Sequence, residues 1–136
     1  DVYKRQLQVD GGREFSPLKI PQLSNEALMD ALKEAIILSD LFDKILTLGE
    51  DYKLNLSIFK VSQPIAGSVM TVRVEIGWTL SRADSMETVW QESILTSDTA
   101  SLNEKFNVNS RLKLATERAA KKNIREGIRQ ISQLEL

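Results

Sequence analysis

Arg118, Lys122, Arg125 and Arg129 follow one another at intervals of 4, 3 and 4 residues, the spacing that lines side chains along one face of a helix. A row of four cations is chemistry for holding anions: nucleic-acid phosphates, phospholipid headgroups or the phosphates of lipopolysaccharide. From Asn107 to Leu136 seven basic residues stand against three acidic ones, a local balance of +4. The plainer reading is a solvated helix face whose charge complements the C-terminal end of the helix dipole. Nucleic-acid modules usually add aromatic side chains on which bases stack, and this segment has none.

Catalytic chemistry finds little to build on. The chain has no His and no Cys, so the commonest general base, thiol nucleophiles and thiolate or imidazole metal ligands are absent. No G-x-S-x-G elbow and no phosphate-cradling glycine loop occurs. The acidic pairs, such as Glu50-Asp51, sit in turns without metal-ligand spacing. No catalytic residue, metal site or cofactor is therefore assigned. A second candidate surface is apolar. Phe59, Val61, Val89 and Leu95 lie on strands; sharing the face turned from the core, they would make a partner surface.

The elements that must carry these residues are read from periodicity. From Met70 to Leu80 every even position is apolar and every odd one is Thr, Arg, Glu or Gly, a strand with one buried and one wet face. Tyr52 to Ile58 alternates in the same way, and with residues 63–68 as a turn the two form an antiparallel hairpin. Leu7-Gln8-Val9 is a short first strand, and Thr88 to Ser97 a last one with a weaker pattern. Residues 96–101 read as a polar loop. Ser24 or Asn25 caps a first helix running to about Leu38, after a Pro-bearing connector from Phe15 to Leu23. A final helix is predicted from about Ser110 to Leu134.

On that last helix Ala115, Ala119, Asn123 and Gly127 recur every four residues. Small side chains let a helix settle close to a sheet, which makes Gly127 a packing position and gives Asn123 a half-buried amide in need of partners. The same row would also admit a ligand or second chain. Trp78 and Trp90 belong to the core, with indole N–H groups that need acceptors.

The expected fold class is α+β: a two-layer sandwich in the order β-α-β-β-β-α, with two helices on one face of a mostly antiparallel sheet of about four strands. At 136 residues, with 42% apolar and 27% charged residues and a net charge of −1, the chain suits one domain with no global pull towards polyanions. No apolar run approaches the ~18 residues that a spanning helix needs. Asp1–Gln6 carries charges with no apolar stretch behind them, so no signal peptide is visible; the hexapeptide resembles translated adapter sequence and reads as a non-native leader, which leaves residues 7–136 as the domain.

Three segments together resemble a family of largely uncharacterised envelope lipoproteins of Gram-negative bacteria. They are Gly11–Glu14 with Ser16-Pro17-Leu18, Ser24–Leu28 and Ala31-Leu32; Tyr52-Lys53-Leu54 with Gln63-Pro64 and Gly67–Val72; and Arg111–Ala120 with Asn123-Ile124. The element order is also similar to that of the outer-membrane lipoprotein of lipopolysaccharide assembly. The resemblance implies a non-catalytic, periplasm-facing domain anchored at the outer membrane, bound to an envelope protein or lipid component through the wet sheet face or a sheet edge. It also implies a signal peptide and lipidated Cys that this stretch does not contain, the anchor being the only tie to a membrane. Pairing of an edge with a second copy is a further expectation. The alternative is a cytoplasmic nucleic-acid or anion-binding module that uses the basic stripe.

Overall fold

Met70, Val72, Val74, Ile76, Trp78 and Leu80 are each at most 1% exposed, so the alternation read from sequence is the alternation of the folded strand. A computed structural model describes residues 7–10, 26–31, 51–63, 67–105 and 107–135. Its strands are β1 (Leu7–Asp10), β2 (Tyr52–Ser62), β3 (Val69–Arg82) and β4 (Thr88–Ser101). Residues 26–31 are helical, α1, and Val108–Ser132 forms the long helix α2. The leader Asp1–Gln6, the connector Phe15–Leu23, the cap at Ser24 or Asn25 and the end of the first helix lie outside the described residues.

The four strands make one sheet in the order β1-β2-β3-β4. β2, β3 and β4 are antiparallel neighbours joined by short connections, as hairpin geometry allows. β1 runs parallel to β2, with Leu7 beside Leu54 and Val9 beside Leu56. Parallel neighbours cannot be joined by a tight turn, so the chain between them crosses over through the stretch that contains α1.

α2 covers the inner face of the sheet. Asn107 caps it, its side-chain oxygen accepting from the Asn109 N–H at 2.8 Å and the Ser110 N–H at 3.3 Å. Leu112, Ala115, Ala119, Ala120, Ile124, Ile128 and Ile131 are buried along one stripe and meet β3 and β4. Leu28 of α1 is fully buried in the same core, with Met29 and Ala31 packed against it. Burying a side chain such as Leu, Ile or Val is worth roughly 1.5–3 kcal/mol. A one-residue slip of β3 would turn all six of its core side chains outward, which fixes the register.

Two features depart from the sequence reading. The pairing of β2 with β3 shifts between Ile58 and Lys60, where Phe59 is an extra residue. Leu54, Leu56 and Ile58 face inward before the bulge, and Val61 opposite Val74 faces inward after it. Val61 thus packs on the core and not on the outer face expected for it. Residues 96–101, expected as a loop, continue β4 in register as far as Ser101 opposite Val69. Their polarity reflects an edge position: Ala100 is fully buried, whereas Thr96 and Asp98 reach polar groups of α2.

Candidate interaction surfaces

The row of small residues on α2 closes around one tryptophan. A Cβ added at Gly127 would lie 2.3 Å from Cζ2 of Trp78, so the ring occupies the space a side chain there would need. One turn earlier the Trp78 indole N–H donates to Asn123 Oδ1 at 2.8 Å. The Asn123 amide donates in turn to the Ile94 carbonyl at 2.7 Å and to Thr96 Oγ1 at 3.3 Å. Thr96 Oγ1 donates onward to the Ala119 carbonyl at 2.7 Å. A buried amide with its oxygen and nitrogen both engaged ties α2 to β3 and β4 at once. The ring fills the row, and no gap for a ligand remains at Gly127.

Arg111 continues that row one turn towards the N-terminus of α2 and was not singled out from sequence. It is 4% exposed, and its guanidinium donates to the carbonyls of Lys105 and Gly67, both at 3.1 Å. The spacing of four from Arg111 to Ala115 is the signal that could have found it: an arginine in line with a buried stripe needs buried acceptors.

The basic stripe is largely compensated. Arg118 pairs with Glu104 in the turn after β4 and donates to the Thr99 carbonyl at 2.8 Å. Lys122 lies 3.4 Å from Asp98 and donates to the Ser97 carbonyl at 3.2 Å. Arg129 pairs with Glu126 at 2.6 Å and also reaches Gln133 at 3.2 Å. Hydrogen bonding to Arg118, helped by the Ser101 N–H, holds the Glu104 carboxyl at about 2. Arg129 and then Gln130 do the same for Glu126, also at about 2. Arg125 is exposed and has no ion pair among the described residues. The acids that meet Arg118 and Lys122 sit in the turn after β4 and on β4, where one-dimensional spacing is silent, whereas Glu126 precedes Arg129 by three residues on α2 itself.

On the outer face the expected apolar patch is partly assembled. Phe59 stands on the bulge with its ring across Gly77 of β3; a Cβ there would be 2.2 Å from the ring. Phe59 remains 60% exposed and Leu95, on β4 opposite Glu75, 63% exposed. Beside them is a shallow depression of about 340 Å³ lined by Lys60, Ser62, Arg73, Glu75 and Leu95. Ser93 Oγ donates to Glu75 at 3.2 Å across its rim. Val89 stands at the far end of β4, six residues from Leu95 and roughly 20 Å away along an extended strand. The structure thus brings Phe59 and Leu95 to one face, turns Val61 inward and leaves Val89 apart. Among the described residues no cluster of acids could hold a metal ion, and no helix is long and apolar enough to cross a membrane.

No protein-family model and no curated protein matches the chain. Solved structures do. A provisionally assigned lipoprotein of Caulobacter crescentus superposes with a TM-score of 0.60 at 15% identity, covering 99% of this chain and 96% of its own. A Xanthomonas campestris protein follows at 0.59 and 16% identity, covering 95% and 88%. Rare lipoprotein B of Shewanella oneidensis matches at 0.51 and 8% identity, covering 93% of each chain. At such identities the likeness is one of fold: this chain shares, over nearly its whole length, the fold of bacterial lipoproteins.

Proposed function

We propose that this chain is the non-catalytic, periplasm-facing domain of an envelope lipoprotein, and that it works by binding another envelope component through its outer sheet face and exposed edge. The observation that carries the reading is how the sheet is used. Its inner face is spent on the core beneath α2, whereas the outer face leaves Phe59 and Leu95 more than half exposed beside a charged depression. The fold shared with bacterial lipoproteins supports the setting. Residues 7–136 act as one domain in this reading, and Asp1–Gln6 as a non-native leader.

Nucleic acid is the poorer ligand for the basic stripe. Arg118, Lys122 and Arg129 already face Glu104, Asp98 and Glu126, so few counterions remain to be released. The test is to recover the gene with its upstream sequence and express it in a Gram-negative host with a clickable fatty acid. Label on the protein in the outer-membrane fraction is the expected result. An unlabelled protein confined to the cytoplasm would overturn the lipoprotein reading.

A further inference from the structure

The two ends of β4 treat their free side differently. Pairing of β3 with β4 is extended by the Leu102 N–H donating to the Ser68 carbonyl at 2.9 Å, in line with the pair Met70–Ala100. Even-numbered residues of β4 therefore bond to β3, and odd-numbered ones aim N–H and C=O at the open edge. At the C-terminal end the protein closes these groups itself. The Thr99 N–H donates to Asp98 Oδ1 at 2.7 Å and the Ser101 N–H to Glu104 Oε1 at 3.2 Å. Arg118 and Lys122 take the carbonyls of Thr99 and Ser97. Gln91, Ser93 and Leu95 point the same way, and nothing among the described residues bonds their main-chain groups.

We propose that the edge from Gln91 to Leu95 is a strand-addition site for an extended, acid-bearing segment of another protein. Three consecutive outward residues offer donors and acceptors enough for a short added strand. Natural edges are normally guarded by charges or side-chain caps, and here the guards stop at Ser97. Within Thr88–Ser97 the sole charge is Glu92. The choice of an acidic segment comes from Arg125. α2 runs against β4, Arg118 meeting Thr99 and Lys122 meeting Ser97. Three more helical residues advance about 4.5 Å, or one to two strand residues, which sets Arg125 beside the open stretch near Leu95.

The inference rests on the domain being a binding module, and not on its lipid anchor. The experiment is an in vitro selection of random octapeptides on the folded chain, with binders retested on Ser93→Pro, Arg125→Glu and Phe59→Asp. Proline at an outward edge position removes a main-chain N–H that β3 does not use, together with the exposed Ser93 Oγ–Glu75 hydrogen bond, so Ser93→Pro keeps the fold, checked by circular dichroism. The site predicts acidic, alternating binders whose affinity falls tenfold or more on Ser93→Pro and several-fold on Arg125→Glu, and holds on Phe59→Asp. Should Ser93→Pro unfold the chain, N-methylation of alternate residues in the binder reads the same bonds from the other side. Binders lost on Phe59→Asp but indifferent to Ser93→Pro would overturn the edge site and leave the binding module standing. Absence of any binder would overturn both. Self-association of the wild-type chain that Ser93→Pro abolishes would overturn the choice of occupant.

Discussion

Gly127 makes the sharpest prediction at the scale of single residues. In an exposed helix Gly→Ala gains about 1 kcal/mol. Here the added Cβ would sit 2.3 Å from the Trp78 ring, so Gly127→Ala is expected to destabilise by about 1–3 kcal/mol. Urea denaturation decides the sign. Asn123→Ala strands the Trp78 indole N–H and takes from the Ile94 carbonyl the donor it has beside its bond to β3. A loss on the order of 1–3 kcal/mol is expected, with a shift in tryptophan emission as the indole loses its partner. Both positions were legible in the sequence, because a repeat of four on a helix marks a face. Their partner was not: period says that Asn123 is inside, and only the register of β3 puts Trp78 opposite it. Arg111 escaped notice because charge suggests surface until its acceptors are known.

Between elements, Glu104 and Arg118 join the turn after β4 to the middle of α2. The folded carboxyl titrates at about 2 against an ordinary 4.5, so the unfolded chain takes up the proton first as pH falls. The pair's contribution is full above about pH 4.5 and is lost as pH drops towards 2. Glu104→Gln should lower Tm slightly at pH 7 and leave it unchanged near pH 2, making the fall of Tm with acid shallower by the same small amount, since both side chains are more than a third exposed and screened. Scans of Tm from pH 2 to 7 on both proteins check this. In the turn from β3 to β4, Met86 holds a φ of 61°, a left-handed conformation that costs a side-chain-bearing residue about 1 kcal/mol. Met86→Gly should therefore raise stability by about 0.5–1 kcal/mol in the same denaturation assay, provided the relief exceeds the unfolded-state entropy that glycine adds. Element order and the long helix followed from periodicity. The bulge at Phe59 did not, because one extra residue reverses the parity of everything after it and leaves no mark in residue types. β4 was read too short for a related reason. An edge strand only partly covered by α2 carries Glu92 opposite Trp78, and its alternation is blurred.

Among the described residues, the molecule is a sheet with one face given to its own helices and one face left exposed. α2 covers the inner side, and Arg118 and Lys122 of its stripe cap the strand edge beside them. Which surface stays exposed is a property of register and bulges that composition does not encode. Among the described residues, the edge of β4 is closed at its C-terminal end and open from Gln91 to Leu95. Backbone amide hydrogen exchange of the free chain, followed by NMR, tests it most directly. Fast exchange is expected at Gln91, Ser93 and Leu95 between slow neighbours at Glu92 and Ile94, with Thr99 and Ser101 protected by Asp98 and Glu104. Uniform protection from Gln91 to Ser101 would mean that the edge is already covered, and would contradict it.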